Sequence, residues 1–151
     1  MPRREGVTLM EMIVVLIIVG IISAVAAANY LSPVEQGRAL TARDNLLAIY
    51  TAQQNYNNNN GQYCFDTTSA SSACTSISAN CADSLAAINC NLSLSIPDDG
   101  TYTYTCDNTP RCTATRTSTA ATMVITLNTP VNLKGAGTLN PQCNLTASWC
   151  P

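Results

Sequence analysis

The sequence predicts an α+β fold: a long N-terminal helix, apolar at first and amphipathic later, packed on a small antiparallel β-sheet head rich in disulfides. Three observations predict it. Residues 12–28 carry no charge at all. Apolar positions then recur at helical spacing as far as residue 56. Beyond that, 11 of the 29 residues from 101 to 129 are Thr, and all eight Cys lie at or after residue 64. At 151 residues the chain has room for one modest domain and an added element, domains averaging about 150 residues.

The first element is the run from Met12 to Ala28, seventeen residues broken only by Gly20 and Ser23. As a helix it reaches roughly 25 Å at 1.5 Å per residue. Extended back to Val7, it is long enough to span a bilayer. Arg3 and Arg4 stand just before it, and basic residues flanking a first apolar segment keep that end in the cytoplasm. The remainder of the chain then faces outward, a direction that suits its cysteines.

The helical pattern continues past Ala28. Ala39, Ala42, Leu46, Ile49 and Tyr56 recur at spacings of three, four and seven, with Arg38, Arg43, Asp44, Gln53 and Gln54 on the polar positions between them. Pro33 removes a backbone donor, so a kink or short break falls near residues 29–33. The stretch "NNNNG", residues 57–61, ends the helix, because weak helix formers there meet a glycine.

Residues 62–100 read as a stapled loop, with a short helix in "ADSLAAINC", residues 82–90. "IPDDGTYTYTC" then turns the chain and opens a strand whose Tyr102, Tyr104 and Cys106 share one face. Strands are expected at 101–106, 112–118 and 121–128. The Thr content favours β structure with a hydrated face, and a meander packed on the amphipathic helix is the economical arrangement.

Eight cysteines in a small polar domain point to an oxidising compartment and to disulfides. "CDNTPRC" puts Cys106 and Cys112 opposite each other in a hairpin, which makes them the first expected bridge. Cys143 with Cys150 would close the C-terminal loop beside Trp149. Neighbouring spacing suggests Cys64 with Cys74 and Cys81 with Cys90, although eight cysteines leave many other connectivities open. Metal binding is the competing use, but it wants cysteine pairs with two to four residues between them. Here the closest pair has five, and the chain has no His.

Several function classes are excluded or disfavoured. A net charge of −2, with scattered Lys and Arg, gives no basic field for nucleic acid. Without His, a nucleophile and base would have to come from Ser, Thr, Asp or the lone Lys134. No motif for acyl or phosphoryl transfer is present, so the chain reads as no enzyme and calls for no cofactor. "NLS" at Asn91 and "NLT" at Asn144 match the glycosylation triplet, a pattern that also arises by chance.

One residue breaks the apolar segment: Glu11, near its cytoplasmic end. A carboxylate at a bilayer centre costs on the order of 2.5–3.5 kcal/mol and less near the interface, so an intramembrane acid calls for a partner. With Glu11, "GVTLMEMIVVLIIVGIISAVA" resembles the processing motif of type IV pilins and the pseudopilins of type II secretion. The motif is a glycine, a hydrophobic residue, Thr, Leu, one residue, then Glu. The resemblance is specific over residues 3–30 and survives beyond them only as architecture. The residue after the glycine is most often Phe in that family and is Val7 here.

The resemblance implies that a prepilin peptidase cuts between Gly6 and Val7 and that the new amino terminus of Val7 is methylated. Residues 1–6 are then a leader, 7–60 the helix with 7–28 as its transmembrane and assembly part, and 61–151 the disulfide-stapled head. It implies that Glu11 pairs with the amino terminus of a neighbouring subunit. The partners are copies of the chain and other pilins in a helical filament, an inner-membrane assembly platform, and lipid before assembly. The head would lie in the periplasm first and then outside the cell on a pilus used for adhesion, motility or DNA uptake. The alternative is a periplasmic pseudopilus. Asp98 and Asp99, with Asp83 or Asp107, could be calcium ligands as in the major pseudopilin, against the plainer reading of "PDDG" as a turn. A rival to the whole assignment is a cleaved signal peptide ending near "AVAAA" and a free secreted domain. Glu11 and the helical pattern running past that cut speak against it.

Overall fold

The structure is a computed structural model that describes residues 8–119, 121–134 and 138–144, with side chains at all of these except 25–32 and 144. Helix α1 (Leu9–Asn60) is followed by a short helix α2 (Leu85–Asn91). Four strands then form β1 (Tyr102–Asp107), β2 (Arg111–Arg116), β3 (Thr122–Thr126) and β4 (Gln142–Asn144). They pair antiparallel in the order β1-β2-β3-β4, a simple meander. α1 lies across β2 and β3, and α2 lies against β1.

α1 begins at Thr8 and ends at Gly61, whose φ of 71° is the left-handed conformation that terminates a helix. The Gly61 N–H donates to the Asn57 carbonyl at 2.8 Å. Of the kink or short break expected near residues 29–33, the break does not occur: α1 runs through Pro33 without interruption. Proline removes one backbone bond and fixes φ near the helical value, and helix on both sides carries the chain across that loss.

On the second half of α1, Ala39, Ala42, Leu46, Ile49 and Gln53 are buried, spaced three, four, three and four apart. This is the stripe a helix presents to a sheet. Tyr56 packs at its edge, partly buried. Gln53 departs from its expected solvent position. Its Nε2 donates to the Cys64 carbonyl at 2.6 Å, and its Oε1 accepts from the Cys64 N–H at 2.9 Å. The amide thus acts as a second backbone for the chain leaving the helix, which is why the interior accepts it.

The sheet answers the stripe by strict alternation. Tyr102, Tyr104 and Cys106 are buried on β1, and Thr103 and Thr105 are exposed. Rows run across the strands: Tyr104 beside Ala114 and Met123, and Cys106 beside Cys112 and Ile125. The three longer strands fall within two residues of the expected ranges at each end. β4 is an addition to them, three residues paired with β3.

The loop before α2 is stapled twice, by Cys64–Cys81 and Cys74–Cys90. The pairings suggested by spacing, Cys64 with Cys74 and Cys81 with Cys90, are therefore incorrect. The loop crosses itself: Cys81 N–H donates to the Thr68 carbonyl at 2.7 Å, which brings Cys81 back to Cys64 rather than on to Cys90. The same loop covers the free edge of β1, with Asp66 N–H donating to the Cys106 carbonyl and Cys106 N–H to that of Ala82. Cys106 and Cys112 face each other in register and are bridged, with Cα atoms 4.0 Å apart. Cys143 on β4 is disulfide-bonded, and Cys150 lies outside the described residues.

Candidate functional site

The amino end of α1 is set by Thr8. Its extended backbone, φ −78° and ψ 151°, holds it just outside the helix, where its hydroxyl accepts from the Glu11 N–H at 3.3 Å. This is an N-cap, which satisfies one of the donors a helix start leaves free. Glu11 is therefore the acid of the first turn, its carboxylate beside the positive end of the helix dipole. Gly6 and Val7 lie outside the described residues.

From Leu9 to Ala24 every side chain is exposed. Leu9 is 77% accessible and Leu16 70%, values for groups touching nothing but their own helix. Ser23 satisfies its hydroxyl by donating to the Val19 carbonyl at 2.7 Å. Among the described residues, Glu11 is then the one polar side chain of this run with no partner in its own chain. A Cβ added at Gly20 would meet nothing within 4 Å, so that surface is open to close approach. Among the described residues no helix is long and apolar enough to cross a membrane. The described side chains of the run stop at Ala24, whereas the apolar sequence continues to Ala28.

Where α1 meets the head, Glu35 pairs with Arg38 at 3.0 Å and with Arg116 of β2. Arg116 is nearly buried, and its Nε donates to the Ser118 hydroxyl at 2.8 Å. Burial pushes the Tyr102 phenol above its ordinary value, with the nearby Arg116 opposing. Burial raises Tyr104 likewise, against a hydrogen bond from Asn45 Nδ2 at 3.0 Å. Sequence reasoning missed the Glu35–Arg116 tie, since no local signal links residues so distant in the chain.

The four acids weighed as calcium ligands make local hydrogen bonds in loops and turns. Asp98 Oδ1 accepts from the Gly100 N–H at 3.1 Å and Asp99 Oδ1 from the Thr101 N–H at 2.9 Å. Gly100, with φ 69°, supplies the conformation the turn needs. Asp83 accepts from the Ser78 hydroxyl at 2.6 Å. Asp107 receives Thr109 and the Arg111 guanidinium, the latter at 2.8 Å. Burial pushes the Asp107 carboxyl up, but those hydrogen bonds and the Arg111 charge outweigh it and hold it below the ordinary aspartate value. Among the described residues no group of three His, Cys, Asp or Glu could hold a metal ion. Asn91 spends its amide on Ser71, Cys81 and Ala87.

Comparison with known proteins bears on the amino end. Residues 1–27 match the family model described as the prokaryotic N-terminal methylation motif. The chain is also similar to the Type IV major pilin protein PilA of Myxococcus xanthus (strain DK1622), 36% identical over 62 residues. That stretch covers 41% of this chain and 28% of the relative's length. No solved structure matches the chain significantly.

Proposed function

We propose that this chain, which matches the prokaryotic N-terminal methylation motif over residues 1–27 and is similar to a type IV major pilin, is the structural subunit of a pilus-like filament assembled through α1. The observation that carries the reading is the fully exposed apolar run whose single unpartnered polar group is Glu11. A monomer in water has no use for such a surface; lipid suits it before assembly and neighbouring helices suit it afterwards.

In this reading a prepilin peptidase removes residues 1–6 between Gly6 and Val7, and Val7 is methylated. The cut takes two Arg and one Glu from seven basic and nine acidic residues, leaving five and eight. The new amino terminus supplies the cation that Glu11 of an adjacent subunit lacks. Residues 7–28 anchor the chain in the inner membrane with the head, 61–151, in the periplasm. The same residues then bundle inside the fibre, where Gly20, Ser23 and the nearby alanines let helices approach closely. The likeness to a major pilin favours an external fibre over a pseudopilus.

Glu11→Ala is the test. The variant should insert and be cleaved normally but enter filaments poorly, as read by electron microscopy of cells labelled with antibody to residues 101–151. Normal filament yield would remove the pairing from the mechanism. Absence of external fibres in the wild type, together with a secretion defect on deletion, would move the chain to the pseudopilus.

A further inference from the structure

We propose that the groove between the last turns of α1 and the turn following α2 binds a neutral saccharide. It is an open cleft of about 600 Å³, and none of the side chains lining it is charged. That absence selects against phosphates, carboxylates and cations, whose desolvation a neutral groove would leave uncompensated.

The lining has two chemistries. Leu92, Leu94, Ala52 and Tyr56 supply its apolar and aromatic part. Asn55 and Asn59 line the same cleft from successive turns of the helix. A pyranose is built the same way, with C–H faces that lie against apolar and aromatic surface and hydroxyls around its rim. A primary amide presents a donor and an acceptor side by side, which suits two adjacent hydroxyls.

Asn55 and Asn59 are exposed on the helix and, like Asn57, Asn58, Asn80, Asn108 and Asn128, keep their side-chain amides free of hydrogen bonds among the described residues. The amides of Asn89, Asn91 and Asn140 are spent holding backbone groups. At the lip, Ser93 adopts a left-handed φ of 54° just after α2. Glycine most often fills this position at a helix end, and the serine places a hydroxyl there despite its steric cost. The proposal does not depend on filament assembly.

The test uses the full chain in a zwitterionic detergent, since alkyl-glycoside detergents would compete, on an array of neutral and anionic oligosaccharides. Retention on neutral glycans is expected. It should fall by about tenfold in the Asn55→Ala, Asn59→Ala double variant, the scale of one or two lost hydrogen bonds. Alanine is the better helix former, so the variant should keep its thermal transition, and loss of binding would not report unfolding. No retention on any neutral glycan, retention confined to anionic ones, or equal retention by the double variant would each overturn the proposal.

Discussion

Gln53 is fully buried, yet it is as polar as the residues on the outer face of its helix. Its place is decided by Cys64, whose N–H and carbonyl would otherwise be buried without partners. Gln53→Ala should therefore cost about 1–3 kcal/mol, the penalty for orphaning buried polar groups, beyond any loss of packing. Chemical denaturation of the oxidised protein measures it, and a cost near zero would mean water replaces the amide. Tyr102 and Tyr104 carry a second consequence. Their phenols are held above the ordinary value of 10.0 by burial. A pKa raised on folding stabilises the protein fully below the unfolded pKa and is lost as pH rises towards the folded one. Stability of the head should accordingly fall above about pH 10, and Tyr104→Phe should flatten that alkaline limb. An unchanged slope in the variant would place the effect elsewhere.

Among the elements, the disulfides differ in what they constrain. Cys64–Cys81 closes a separation of 17 residues and Cys106–Cys112 one of 6. By chain entropy the first contributes about 3 kcal/mol and the second about 2. Replacing Cys64 and Cys81 together by Ser should thus lower the denaturation midpoint more than replacing Cys106 and Cys112. The reverse order would mean the hairpin bridge carries strain-free packing that the loop bridge lacks. The same elements show what sequence makes legible. The α1 stripe and the alternation of β1 are periodic, so Leu46, Ile49, Tyr102 and Tyr104 declare themselves. The Cys106–Cys112 bridge follows from a hairpin of short range. Cys64–Cys81 is not legible, because it depends on how the loop folds back through Thr68 and docks on Cys106. β4 is three residues long, too short for alternation to show, and it forms by pairing with a β3 already in place. As a sign of a break, Pro33 misleads for the opposite reason, since a strong local signal is overridden by helix on both sides.

The whole molecule divides by what each part needs from outside. Among the described side chains, the buried core begins at Ala39 and the first tie to the head is Glu35 with Arg116. Every described side chain before Pro33 is exposed and adds nothing to the packing of the head. A chain lacking residues 1–28 should then fold as a monomer with stability within about 1 kcal/mol of the parent, as expected where none of the described side chains removed is buried. It should form no filaments. Sedimentation velocity and denaturation in buffer without detergent test both halves of the statement. Unfolding of the truncated chain would show that the apolar run supports the head. Oligomers from it would move assembly into the head. A folded monomer would leave α1 before residue 29 with one physical use, to be covered by lipid or by its neighbours, and would make Glu11 a residue whose partner has to come from another molecule.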